Sequence, residues 1–518
     1  MRNIIGCDYG NYYFQAMFIQ NIDPKTLRGG VPLNLCDPTS PDPNGTPSAF
    51  FYSTKRNNGQ PVCGYAATRQ RPLSNIVRYL KRNMLDSVTL DDRTFTYAEM
   101  ITQTIQHCVR EANRQLRAQT QTTSNEIGLA YPASFEARER KYLISLAEKA
   151  TLEDGTPIKV VGTITEPAAA ALDYLAEHPG AKPETCVMAY DLGAGTFDLS
   201  VVEAFPNGKK DAQGNTYYYD VRWTDGLPKL GGLEFDKKVQ DIMIKKIGYT
   251  PKGQQADLLI QVAEQTKREL TVQDTVYPLF GDEDIEITIE EFNNAVRPLV
   301  METIKLIKNA LESPTVPRPD LILLTGGASR MRIVKAMLEQ EVPQYRGKIV
   351  SHRPSQAIAC GAARFATVEA DTDMKFDKNE TPPPPPVQQR TTLDLGIRFW
   401  DPNKNEFYID TMIQQGTAIP FTSSVICCST LEPNQRRMEM GVYEARKSSP
   451  DTRKTTEDYI NVMPHDYEFE RPVDMDTEVY AQMMIDKKNV LSLKVWEPAN
   501  RAKTEKIWPC TYEEWRNK

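Results

Sequence analysis

The stretch Val187–Glu203 constrains this chain most. An apolar, β-branched run reaches Tyr190, the chain turns through Asp191-Leu192-Gly193-Ala194-Gly195-Thr196, and a second strand-like run leaves from Phe197 to Val202. That pattern predicts a hairpin with a glycine turn. Gly193 and Gly195 withhold side chains where a bulky anion must approach the backbone, so their amides can face phosphate. Asp191 and Asp198 offer carboxylates to a hard cation such as Mg2+. An ordinary tight hairpin carries the same letters, and a second copy tips the balance. Asn3 to Asn11 is again an apolar strand delivering Asp8 and a turn at Gly10, followed by a strand-like run from Tyr12 to Ile19. Two such units about 180 residues apart predict an internal duplication, two half-domains facing one another across a cleft that suits a polyanion and its metal.

Composition narrows the partners. A chain of 518 residues with net charge -7 and four histidines argues against nucleic acid as a partner and against a histidine-rich metal site. The nine cysteines form no CxxC pair, a usage that fits a reducing cytoplasm better than a secreted disulfide framework. No signal peptide and no apolar run of membrane-spanning length is present, so no membrane role is expected.

In chain order, Asn21 to Thr46 is rich in Pro, Gly, Asn and Asp and reads as a long surface loop. Ser74 to Leu85 reads as a helix with apolar Ile76, Val77, Leu80 and Met84; on pattern alone its Lys81 is a solvated lysine. Tyr97 to Arg117 has helical apolar spacing. Glu126 to Tyr131 is a strand stopped by Pro132, with Ser134 placed to cap the next helix. After a strand from Ile158 to Ile164, Glu166-Pro167 opens an alanine-rich helix. Glu166 is either a helix-start acid or a residue holding a metal-bound water. Strand, helix, strand, helix and then the glycine hairpin is an α/β progression. The helix Gln254 to Leu270 sets Glu264, Lys267, Arg268 and Thr271 on one face. That face is either a salt-bridged surface or a wall for a ribose and a planar base. Asp320 to Thr325 is a buried-type strand ending in Gly326-Gly327-Ala328-Ser329-Arg330, a turn that can present backbone amides to a ligand.

The order of motifs carries more than any single one. IIGCDYGN, GTPSAFF, VRYLKRNM, GLAYPASFEARERK, ITEPAAAALDYL, YDLGAGTFD, LGGLEFD, AEQTKRELT, LLTGGASR and IACGAARFA resemble, in order and approximate spacing from Met1 to about Val368, the nucleotide-binding domain of DnaK-type (seventy-kilodalton heat-shock) chaperones. The resemblance implies an α/β fold, a duplicated ribonuclease-H-like (actin-like) ATPase domain over residues 1–370, followed by a mainly β-sandwich domain. It implies ATP or ADP with Mg2+, and K+ as a monovalent ion, in the cleft. By that resemblance Asp8 and Asp191 hold the metal through water. Glu166 stands beside them, Asp198 helps order the monovalent ion, Lys81 positions the attacking water, and Thr196 belongs to the second phosphate loop. Gly10, Asn11, Tyr12, Gly193, Ala194 and Gly195 form the two phosphate loops. Glu264, Lys267, Arg268, Thr271, Gly326, Gly327 and Arg330 match the adenosine pocket, where two arginines sandwich the base. Pro132 and Arg140 match the pair that relays nucleotide state to the other domain. The chemistry asked of such a site is charge neutralisation and an in-line water.

Several positions depart from the family. Asn11 and Tyr12 stand where it has two threonines, Ala194 replaces the middle glycine of the second loop, and Ser355 replaces an aspartate. Residues 371–390 read as a linker with five consecutive prolines, Pro382 to Pro386, a semi-rigid polyproline rod of roughly 3 Å per residue. No leucine-rich linker is present. Residues 391–518 read as β: TTLDLGIRF, YIDTMIQQGTAIPF and MMIDKKNVLSLKV resemble strands of a chaperone substrate-binding β-subdomain, with Lys454 to Asp476 loop-rich and no helical lid after it. The expectation is an ATP-binding chaperone-like protein, cytoplasmic, whose slow ATP hydrolysis regulates polypeptide binding, with a co-chaperone or exchange factor as a further partner. Nucleotide binding is the firmer half of that expectation. The alternative is a nucleotide-stabilised scaffold with little turnover; a sugar kinase or actin-like filament shares the fold but leaves the β-domain unexplained.

Overall fold

The computed structural model describes residues 2–23, 26–40, 42, 45–178, 184–210, 214, 216–372, 387–401, 403–445, 453–455 and 458–510. It divides into two compact units. The first is Met1–Ser134 with Leu146–Val387, the second Phe135–Ser145 with Gln388–Lys518.

Two sheets organise the first unit. In one, β1 (Ile5–Tyr9) and β2 (Tyr13–Gln20) form the first hairpin and β3 (Val31–Asn34) extends it; β4 (Glu126–Tyr131) and β5 (Lys159–Thr165) add in parallel, giving the order β5-β4-β1-β2-β3. In the other, β6 (Thr185–Leu192) and β7 (Phe197–Lys210) form the glycine hairpin and β8 (Thr216–Leu227) extends it; β9 (Leu321–Thr325) and β10 (Ile349–Ser351) add in parallel, giving β10-β9-β6-β7-β8. Both sheets therefore have the same strand order and directions.

Two small-residue helices, α1 (Glu166–Glu177) and α2 (Ala357–Thr372), lie in a core to which both sheets contribute. The close approach of α2 depends on a row of glycines. Gly6, Gly128 and Gly162 are direct partners across β1, β4 and β5. A Cβ at Gly6 would sit 2.0 Å from Ala359 O, and one at Gly128 2.4 Å from Ala362 O. With side chains absent on one face of the row and only alanine-sized ones on the other, helix backbone rests almost on strand backbone. The fully buried Arg364 on α2 is satisfied by Asp173, Glu177 and the carbonyls of Leu27 and Gly29. Outside this layer, α3 (Tyr97–Thr120) opens with a capping box between Thr96 and Glu99.

In the second unit, one sheet has the order Arg453–Thr455, Glu406–Ile413, Leu395–Asp401, Val442–Ala445, Tyr459–Met463. Another joins Phe421–Thr422, Glu478–Ile485, Leu491–Trp496 and Lys506–Pro509. Inward residues of both, such as Ile397, Val442, Ala481 and Leu493, share one core, as two sheets with one apolar face each must.

Five local expectations change. Ser74–Leu85 is not a helix but two short 3-10 turns around a two-residue strand; Tyr79 sits at φ 58, where no right-handed helix continues. Ser134 does not cap the next helix, which starts at Ala137; its backbone N–H is given to Asp198 Oδ1 at 2.8 Å. The loop Asn21–Thr46 contains β3. Lys454–Asp476 contains the strands Tyr459–Met463 and Asp466–Val473. Val387–Arg390, within the stretch read as linker, is a strand, and the five prolines lie outside the described residues. None of the nine cysteines is in a disulfide; eight are buried and Cys427 is exposed.

Candidate functional site

The ends of β1, β5 and β6 converge on a buried cluster. β1 delivers Asp8 and β6 delivers Asp191, with Asp198 directly opposite on β7. Glu166 is the first residue of α1. Lys81, held in a 3-10 turn, is buried and reaches Glu166 Oε1 at 2.5 Å. Four buried carboxylates and a buried lysine determine one another's charge. Burial, then repulsion from Glu166, lifts Asp8 to about 7 against the pull of Lys81. The same two causes lift Asp198 to about 7, opposed by donors at Thr196 and Ser134. Burial, then Glu166, Asp198 and Asp8, holds Asp191 well above the usual carboxylate range. Burial alone would lower Lys81, but Glu166 and Asp8 outweigh it and keep the ammonium charged.

Such an excess of acid suits a cation. Asp191 Oδ1 and Asp198 Oδ2 are buried without a protein hydrogen-bond partner, which a metal or its waters would satisfy. Among the described residues no three acid, histidine or cysteine side chains come close enough to ligate one ion together. A donor set of this kind fits a hard ion that keeps most of its water shell, as Mg2+ does.

The cluster forms the floor of a cleft of roughly 290 Å³, near the lower bound for small-molecule sites. Both glycine turns line it. The second turn is closed by Gly193 N donating to Thr196 O, while the Gly193 and Ala194 carbonyls accept from Gly232 N and Leu233 N. Gly326, at φ +77, meets it from β9; a Cβ there would fall 2.4 Å from Asp191 Oδ1, so only glycine fits.

A family model described as Hsp70 protein matches residues 46–459, four-fifths of the chain. The chain belongs to the Hsp70 family. Membership carries an ATP-binding, chaperone-type function in general terms. The match begins after the first glycine turn. No described helix of this Hsp70-family chain is long and apolar enough to cross a membrane.

At the far end of the cleft, α4 (Gln254–Glu269) presents Lys267 and Arg268, with Thr271 just beyond it. Glu264 stands behind, paired with Arg268 at 2.6 Å. Gly327 and Arg330 line the cleft, and Arg330 Nη2 donates to Ser355 Oγ at 2.6 Å, so the serine at that departure still supplies an acceptor. Asn11 lies between the turns: its Oδ1 accepts from Arg82 N at 3.0 Å, and a Cβ at Gly195 would fall 2.3 Å from its Nδ2. Asp198 sits beneath the floor. Pro132 and Arg140 are not in the cleft wall; Arg140 belongs to the second unit, where its guanidinium lies 3.8 Å from Glu444.

Sequence reading missed Tyr13, Asp236 and Tyr79. Asp236 is buried, pairs with Lys267 at 2.6 Å and accepts from the Tyr12 hydroxyl at 2.7 Å. Its signal was present in the glycine-led stretch Leu230–Asp236, the start of a helix with an acid on its inner face.

Proposed function

We propose that this Hsp70-family chain binds ATP and ADP with Mg2+ in the cleft and uses nucleotide state to regulate polypeptide binding by residues 391–518, hydrolysing ATP slowly. Residues 1–370 form the nucleotide-binding domain and 371–390 the linker. The observation that carries this reading is the buried Asp8, Lys81, Glu166, Asp191, Asp198 cluster, with Asp191 Oδ1 unpartnered, beneath two glycine turns on sheets of matching strand order. That repetition supports a duplicated actin-like ATPase fold.

Bound Mg2+ supplies positive charge to the phosphates. Asp8 and Asp191 would hold it through water, and Glu166 fixes the Lys81 ammonium through the 2.5 Å pair. Lys81 is then placed to orient a water in line with the terminal phosphate, while Asp198, with Thr196 beside it, orders a monovalent ion such as K+. The two glycine turns lie against the phosphates, with the Gly10 and Gly193 N–H groups already given to Tyr13 O and Thr196 O, and Arg268 and Arg330 flank the base. Pro132 and Arg140 relay nucleotide state. A polypeptide client, a co-chaperone or exchange factor, and a cytoplasmic setting complete the proposal.

Calorimetry of ATP and ADP with Mg2+ and with excess chelator tests the site: binding that ignores the chelator removes Asp8 and Asp191 from it. Peptide affinity that is equal with ATP and ADP removes the regulation. Asn11 wedged against Gly195 and the occupied Tyr12 hydroxyl favour a second reading, a nucleotide-stabilised scaffold. Single-turnover hydrolysis decides between them, because equal rates in wild type and Lys81→Ala leave only the scaffold.

A further inference from the structure

Tyr12 is the largest departure in the first glycine turn, and its side chain is built into a network spanning the cleft. Its hydroxyl donates to Asp236 Oδ2 at 2.7 Å and lies 3.0 Å from the Tyr79 hydroxyl. With its single proton given to the carboxylate, Tyr12 must accept from Tyr79, so the bonds run Tyr79 to Tyr12 to Asp236. Asp236 Oδ1 then holds the Lys267 ammonium at 2.6 Å, and Lys267 also donates to Gly232 O at 3.0 Å. The Arg268 guanidinium lies 5.8 Å from the Tyr12 ring and 5.6 Å from the Tyr13 ring, with its Nη2 on Glu264. Burial, then the charges of Glu264 and Asp236, pushes the Tyr12 phenol well above its ordinary range, so it stays a neutral donor.

We propose that Tyr12 is a positioning residue for the base side of the cleft: its hydroxyl fixes Asp236 and through it Lys267, while its ring and that of Tyr13 carry the Arg268 guanidinium. The inference rests on the nucleotide reading and deepens it. A guanidinium already seated on aromatic rings and anchored by a carboxylate has lost its rotamer freedom before ligand arrives, so it offers a planar base a prepared face. The phosphate end depends instead on the glycine turns and the acidic floor. The discriminating quantity is therefore affinity for the nucleoside relative to affinity for the phosphates.

The test uses the full chain and titrates Mg-ADP and Mg-pyrophosphate into wild type, Tyr12→Phe and Tyr12→Ala. Tyr12→Phe removes only the hydroxyl and should weaken ADP about fivefold, the scale of one ordinary net hydrogen bond. Tyr12→Ala also removes the ring and should weaken it by about tenfold or more. Pyrophosphate affinity should stay within about twofold in both, since no phosphate contact is assigned to this side chain. Unchanged ADP affinity in both variants overturns the proposal, as does a parallel fall of ADP and pyrophosphate or a Tyr12→Phe chain that no longer folds, because each makes the residue structural. If wild type binds pyrophosphate but not ADP, or neither, the nucleotide reading itself fails.

Discussion

Replacing Gly128 with alanine tests the helix-on-glycine packing that underlies the cleft. The new methyl would sit 2.4 Å from Ala362 O and 2.5 Å from Ala366 Cβ, roughly 1 Å inside ordinary contact. Overpacking of an average core position costs about 1–3 kcal/mol. Here one obstructing atom is helix backbone, and the strand is pinned by β1 and β5 on either side, so neither partner yields cheaply. The cost should reach about 3 kcal/mol, which in a unit of this size lowers Tm by roughly 4 °C. Circular dichroism or scanning calorimetry of the full chain measures it. Adding Ala366→Gly removes the 2.5 Å contact and leaves the 2.4 Å one, so it should restore less than half of the loss. A single variant that melts within about 1 °C of wild type would refute the reasoning, because α2 could then lift off β4 without penalty.

Lys81→Ala leaves Glu166 buried without its counter-charge and should cost about 3–5 kcal/mol of stability, read by denaturant unfolding; a loss below about 1 kcal/mol would mean Lys81 was never its partner. Arg364→Ala takes a fully buried cation from Asp173 and Glu177, which keep Arg353, with His352 also on Asp173, so a smaller destabilisation, about 3 kcal/mol, is expected from urea titration. Glu139 is pushed up to about 7, chiefly by burial and by the charges of Glu136 and Glu444. An acid whose folded pKa lies above its unfolded value binds more protons when folded, so stability falls as pH rises from about 4.5 to 7. Glu139→Gln keeps an acceptor for Glu136 N and should lessen the fall of Tm with pH across that window, leaving the share of Asp8 and Asp198, which are raised to about 7 as well; an unaltered slope assigns it wholly to other groups.

The strand-borne part of the site was legible because its chemistry is local. Asp8 and Asp191 each sit at a strand end beside a glycine turn, and alternation and glycine placement report that directly. The face Glu264, Lys267, Arg268 was equally visible as a charged stripe, though not whether it met solvent or a cleft. Legibility stopped where long-range contacts decide. Nothing in the sequence ties Tyr12 to Asp236, 224 positions away. Ser74–Leu85 had helical spacing, yet the left-handed Tyr79 breaks it, because cleft contacts override propensity there. Asp466–Val473 read as loop because its outward residues are charged; Tyr467 and Phe469 alternate inward, the mark of a strand wet on one side.

The distribution of thiols has a practical consequence. Burial pushes the Cys428 thiol up to about 12, and it raises Cys186 and Cys63 to the same level, leaving them inert toward alkylating dyes at neutral pH. Cys427, side by side with Cys428 but facing outward, is the position a maleimide fluorophore would find on the native chain, so the β-rich unit carries a natural attachment point for an optical reporter without any engineered residue.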